Sequence, residues 1–207
     1  MQRVTALTLL RYKHWMDAGM LRAIADTDAR RFRAERREML RLMHHMHVTD
    51  MLIRANLKGE APSRPNIRGR RTPEEAVLVP CMLACSGWFI EYAAGMSAEA
   101  WDCPIVYRRR DGKMAQTTPL GLIEQVILHG TRHRGAVSWL IHACGVQPPQ
   151  DVVSHFLRKQ MTSFDKRGYR NSDNPKVLPE TGPFRQNPAK SGIRPANQLL
   201  VKLQQKS

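Results

Sequence analysis

Residues 122–144, LIEQVILHGTRHRGAVSWLIHAC, decide the fold of this 207-residue chain. Positions four apart on a helix lie about 40° from each other, so one apolar stripe of this segment also contains His129 and His133. The apolar members of that stripe are Leu122, Val126, Val137, Leu140 and Cys144. Buried imidazole nitrogens need polar partners. The pair therefore indicates either a shared metal ion or two separately hydrogen-bonded core histidines, and spacing alone favours neither.

The composition predicts a protein of the cytoplasm. Apolar residues make up 42% of the chain, which is enough for a core. No uncharged apolar run approaches the roughly 18 residues of a membrane span, so no membrane association is expected. Arg11 and Lys13 directly follow the short N-terminal apolar run, and no signal peptide is predicted. The cysteines are expected to be reduced, buried thiols and not a disulfide framework; they are Cys81, Cys85, Cys103 and Cys144.

About half of the net charge of +15 lies near the C-terminus. Residues 158–207 contain 11 Lys and Arg against three Asp and Glu, among many Pro, Asn and Ser residues. This composition predicts a disordered basic tail. A solvated face with i,i+4 ion pairs is the expected role of the arginines of residues 30–37. Nucleic-acid binding through them or through the tail is the less favoured alternative, and it would be strongly salt-dependent. The lack of an aromatic-studded basic surface argues against sequence-directed recognition of nucleic acid.

Four long helical patterns predict an all-α fold, a four-helix bundle. They cover residues 4–25, 29–57, 73–95 and 118–145. Asp111-Gly112 predicts the turn of a small β-hairpin between helices 3 and 4. Thr72 is expected to cap the third helix, and Pro80 to kink that helix or mark its true start. Residues 152–157 are expected to pack back as a last short element.

A catalytic metal site usually has three protein ligands, and the second helix offers His44, His45 and His47 as the third. The centre of the apolar stripe on that helix lies about 85° from His45, about 115° from His47 and nearly opposite His44. His45 is therefore best placed to reach inward, by a modest margin over His47, and His44 is expected to face solvent. Surface or hydrogen-bonded roles are expected for the other histidines, which are His14, His142 and His155.

Two segments resemble signatures of the DinB superfamily. Residues 42–59, LMHHMHVTDMLIRANLKG, are similar to its second-helix signature, in which a histidine precedes an aspartate by five positions and a glycine closes the helix. Here those positions are His45, Asp50 and Gly59.

The second segment, residues 129–149, is HGTRHRGAVSWLIHACGVQPP. It resembles the fourth-helix signature, an HxxxH pair followed by Arg-Gly, a helix, Gly-Val and prolines. The resemblance covers roughly residues 4–158 and ends at Phe156-Leu157-Arg158, which is similar to the family's usual ending.

The resemblance implies an up-down-down-up bundle over residues 1–158, followed by the basic tail over residues 159–207. It further implies a metal site made of His45, His129 and His133 that holds a divalent transition ion, zinc or nickel. Related branches of the superfamily include transferases and isomerases that use low-molecular-weight thiols, so a small-molecule substrate is expected. The resemblance is also compatible with a homodimer.

Three hypotheses for the function follow. The leading one is a metal-dependent enzyme, a thiol-dependent transferase or a hydrolase, with no catalytic residue assigned beyond the ligands. The second is a non-enzymatic bundle that uses its metal for structure or sensing, for which a fourth protein ligand should close the site. The third is nucleic-acid binding through the tail. Thr49 is a candidate neighbour of the metal. Arg132 and Arg134 are candidates for lining the site mouth, and a helix-boundary or solvent-facing role agrees equally well with their positions.

Overall fold

A computed structural model describes residues 2–60, 73–109 and 111–165, and these residues form five α-helices and a hairpin. The helices are α1 (Gln2–Ala25), α2 (Arg33–Leu57), α3 (Glu75–Gly95), α4 (Pro119–Ala143) and α5 (Val153–Asp165). Between α3 and α4 lie a 3₁₀ turn (Glu99–Trp101) and the antiparallel strands β1 (Ile105–Arg108) and β2 (Met114–Thr117). The last predicted element thus continues through Asp165, and the predicted tail beyond it lies outside the described residues.

Two apolar clusters give the direction of each helix. One cluster combines the end of α1, the start of α2, the start of α3 and the end of α4, through Met20, Ile24, Met39, Met43, Leu78, Met82, Val137 and Ile141. The other combines the opposite ends, through Ala6, Leu10, Ile53, Phe89, Ala93, Leu122, Ile123 and Val126. Since α1 and α4 run one way and α2 and α3 the other, the predicted up-down-down-up bundle is confirmed.

The consecutive helices α1 and α2 lie diagonally and scarcely touch. Each of them packs against both α3 and α4. This arrangement makes α2 and α4 antiparallel neighbours, and it therefore brings the histidines of the second helix beside those of the fourth.

The helix boundaries differ from the predicted ones where side chains form a local turn. The Asp28 carboxylate accepts hydrogen bonds from the backbone N–H groups of Arg30 and Arg31, at 2.8 and 3.1 Å. These bonds occupy the backbone N–H groups of this segment in a turn and not in a helix, so α2 begins at Arg33 and not at Ala29. The predicted cap Thr72 lies outside the described residues. Pro80 lies inside α3 on its exposed side and does not mark its start.

Two predicted glycine positions have the backbone that only glycine adopts readily. Gly145 ends α4 with φ of +78°, and its N–H contacts the carbonyl oxygen of His142. Gly112 has φ of +85° in the turn between β1 and β2. The sequence pattern therefore located both chain reversals correctly.

By length and composition alone, α3 is the one helix in the described part of the chain that is apolar enough to cross a membrane. In this structure it packs as a bundle helix against α1 and α2, with Leu78, Met82 and Phe89 buried.

All four cysteines are free thiols. Cys85 and Cys144 are buried as expected. Cys81 and Cys103 are exposed, which corrects the expectation that all four are buried. Cys81 lies on the outward side of α3 and Cys103 follows the 3₁₀ turn, where an apolar sequence context does not guarantee burial.

Thr118 caps α4, since its side-chain oxygen accepts a hydrogen bond from the Gly121 N–H at 3.2 Å. We expect Thr118→Ala to lower the free energy of unfolding by about 1 kcal/mol, because that N–H loses its partner. Chemical denaturation of both proteins measures the difference. Thr8→Ala is the matched control, because Thr8 bonds the Val4 carbonyl within α1. A control that is destabilised as much as Thr118→Ala contradicts the capping role.

Candidate metal centre

Three imidazoles meet where α2 and α4 pack together. His45 comes from α2, and His129 and His133 come from successive turns of α4. The Nε2 atom of His129 lies 3.3 Å from Nε2 of His45 and 3.1 Å from Nε2 of His133. One nitrogen from each ring lies within 4.8 Å of the others. The antiparallel neighbours thus bring together all three residues that the sequence selected.

The spacing of these nitrogens fits a shared metal ion. Two nitrogens bound tetrahedrally at about 2.0–2.1 Å from one ion lie about 3.3 Å apart. The two short Nε2 contacts of His129 match this separation. A ring nitrogen has one proton or one lone pair, so a hydrogen bond accounts for one of the two contacts. A metal ion accounts for both, and the residues therefore fit a divalent ion.

Burial holds the two imidazoles of α4 in the form that binds metals. Burial, with a smaller effect from the neighbouring histidines, lowers the pKa of His129 to about 3. Burial also lowers the pKa of His133, with a smaller effect from the positive charges of Arg132 and Arg41. These rings are therefore neutral near pH 7, as nitrogen ligands must be.

The three rings are half-buried and not enclosed in the core. The buried face of α4 is formed instead by Leu122, Val126, Val137 and Ile141. The histidines thus lie at the edge of the apolar stripe, where α2 and α4 leave a side open to solvent. The site is therefore partly exposed to solvent.

Two predicted neighbours of the site have other roles. Arg134 is 1% exposed and points away from solvent, so the prediction that it lines the site mouth is wrong. Its guanidinium reaches carboxylates, because this side of α4 packs on α1. The Thr49 hydroxyl donates to the carbonyl oxygen of His45 at 3.1 Å and is therefore engaged with the backbone of α2. Arg132 is exposed, as a residue at the site mouth should be.

The other histidines lie outside the three-histidine cluster. His44 and His47 line a groove of about 480 Å³ that also contains residues of α3. His44 is thus half-buried, which corrects the expectation that it faces solvent. His14 hydrogen-bonds Ser86 through Nδ1, and His142 is exposed.

A buried ionic network beside the histidines was not predicted from the sequence. The Lys13 ammonium contacts Asp17 at 2.6 Å and Asp50 at 2.8 Å. Arg134 contacts Asp151 through Nε at 2.9 Å and Asp17 through Nη1 at 3.4 Å. Lys13 and Asp17 lie four residues apart among apolar residues of α1, and this spacing was the available signal.

The network holds an unusual carboxyl group. Burial raises the pKa of Asp50 to about 6, although the charge of Lys13 opposes the shift. The Tyr12 hydroxyl donates to Asp151, which extends the network toward α5 through the contact of Tyr12 with Phe156.

Comparison with known proteins agrees with this architecture. The sequence model of the DinB family matches residues 1–168. No curated protein sequence matches the chain significantly. With the match covering most of its length, the chain belongs to the DinB family.

Proposed function

We propose that this protein is a metal-dependent enzyme, a transferase that uses a low-molecular-weight thiol or a hydrolase. His45, His129 and His133 would hold one divalent transition ion, zinc or nickel. The observation that carries the proposal is the convergence of three imidazoles with no fourth protein ligand in the part of the chain that the structure describes. Within residues 2–60, 73–109 and 111–165, no cysteine, carboxylate or further histidine joins their cluster.

The ligand set determines the chemistry that the site supports. A divalent ion that keeps its full charge lowers the pKa of a water or thiol bound to it. Neutral imidazoles leave that charge uncompensated. Three protein ligands also leave a coordination position free, which is typical of catalytic and not of structural sites. The half-exposed rings give a small molecule access to that position.

Two arginines make the site mouth positive. Arg132 directly precedes His133, and Arg41 lies one helical turn before His45 on α2. The charges of both act on His133. Glu38 neutralises part of this positive charge, because its carboxylate contacts Arg41 at 2.6 and 2.7 Å. The remaining positive charge favours a substrate that carries an anionic group, such as a carboxylate.

Metal content tests the ligand set. We expect about one zinc or nickel ion per chain in the untagged protein and almost none in His45→Ala, His129→Ala or His133→Ala. Elemental analysis after dialysis measures the ratio. His142→Ala is the matched control, because this exposed histidine lies on the same helix outside the cluster. Full metal content in all three ligand variants contradicts the assignment.

Binding of a thiol tests whether the site is open. We expect mercaptoacetate to change the visible and near-ultraviolet absorption of the Co²⁺-loaded protein, because a free coordination position accepts sulfur. Elemental analysis of the sample afterwards shows that the metal has been retained. An unchanged spectrum at saturating thiol indicates a closed site and supports the structural or sensory alternative.

The charge of Arg132 gives a further prediction. We expect Arg132→Met to weaken mercaptoacetate binding about fivefold, the effect of losing about 1 kcal/mol from one exposed ion pair. Binding of 2-mercaptoethanol, which has no carboxylate, should change little. Equal weakening of both thiols contradicts a role for this charge in recognising an anionic group.

A further inference from the structure

The buried network reaches the metal centre through Lys13. This side chain starts on α1, contacts Asp50 on α2 and lies against α4. Its Cε atom is 3.0 Å from the place where a Cβ atom on Gly130 would lie. Because Gly130 directly follows His129, the glycine lets the lysine stem pass close to the backbone that carries this histidine.

Four buried polar atoms in the described part of the chain have no hydrogen-bond partner, and two of them are the Nδ1 atoms of His47 and His155. The remaining two belong to the ionic network and to the metal centre. One is Oδ1 of Asp50, whose other oxygen contacts Lys13. The other is Nδ1 of His129, whose Nε2 faces His45 and His133. Buried polar atoms without partners cost folding free energy and call for an explanation. The Asp50 oxygen is a hydrogen-bond acceptor, and the His129 nitrogen belongs to a candidate metal ligand.

Metal binding through Nε2 determines which hydrogen-bond partner Nδ1 of His129 requires. A neutral imidazole that uses Nε2 as a ligand carries its proton on Nδ1, which then needs an acceptor. In metal sites this acceptor is commonly a carboxylate, which fixes the orientation of the ring. Asp50 Oδ1 is the one buried carboxylate oxygen without a partner in the described part of the chain.

The fold places Asp50 on the side of His129. Residues of α2 that follow His45 run toward the cluster containing Ile53, where α4 begins. Asp50 therefore lies level with the earlier histidine of α4 and not with His133. Lys13 both contacts Asp50 and acts electrostatically on His129, so the two residues share this lysine as a neighbour.

We propose that Asp50 is the positioning residue of the metal centre, accepting the Nδ1 proton of His129 directly or through one water molecule. Lys13 holds the carboxylate in place for this contact. The inference rests on the proposed metal site. The proposed role of Asp50 explains why an ionic network lies next to that site, and it can be tested separately from metal binding.

The test compares Asp50→Asn with Asp17→Asn. Each variant removes one of the two carboxylates that contact Lys13, so both should lower the free energy of unfolding of the metal-free protein. Only Asp50→Asn should weaken Zn²⁺ binding by the folded protein, by about 10–100-fold. The amide oxygen of the asparagine pairs with the Lys13 ammonium, and the remaining NH2 group cannot accept the proton of His129. Competition with a chromophoric chelator measures the affinity, and urea denaturation of the metal-free proteins measures stability. Equal Zn²⁺ affinities in the two variants overturn the proposal.

A second measurement uses the unaltered protein. Nitrogen-15 NMR of the Zn²⁺-loaded chain should show His129 with its proton on Nδ1, in a downfield resonance that exchanges slowly with water. A rapidly exchanging proton on this nitrogen overturns the proposal even if Asp50→Asn does not fold. If the unaltered chain binds no Zn²⁺, the proposed metal site itself is wrong, and the two failures are thereby distinguished.

Discussion

The contact of the Lys13 ammonium with Asp17 and Asp50 is the constraint on which the arrangement of helices depends. A lysine that is 2% exposed loses almost all of its hydration, a cost of several kcal/mol that only close anions offset. Both carboxylates lie within 2.8 Å of it, and they come from α1 and α2, which otherwise scarcely touch. Removing one partner of such a group typically costs about 3–5 kcal/mol, so the contact specifies one relative placement of the helices.

That placement determines the separation of the histidines. His45 and His129 are 84 residues apart in sequence and lie on helices that are not consecutive. Their nitrogens come within 3.3 Å because α2 and α4 are antiparallel neighbours in the up-down-down-up order. The network contacts both helices, since Asp50 belongs to α2 and Arg134 to α4. A shift of either helix by one turn, about 5.4 Å, would separate the rings beyond the reach of one ion.

The sequence was informative where structure depends on neighbouring residues. Helical periodicity and the Asp111-Gly112 turn are local signals, and the elements that they predict are present. The histidine pair of α4 was also readable, because its spacing is that of one helical face. The ionic network could not be predicted in the same way. Asp50, the partner of Lys13 on another helix, lies 37 residues away, and periodicity does not pair residues on different helices. Spacing likewise put Arg134 about 100° from His133 without indicating which side faces α1.

The position of the histidines favours a functional over a structural role for a bound ion. Apolar clusters lie at both ends of the bundle, and the ionic network lies between them, so the helices have partners without a metal. This differs from small zinc domains, whose ligands come together only on metal binding. A neutral imidazole with a buried, unpartnered nitrogen, such as that of His129, weakens the fold that contains it. Groups of this kind, set into an otherwise consistent bundle, are typical of sites retained for chemistry and not for stability.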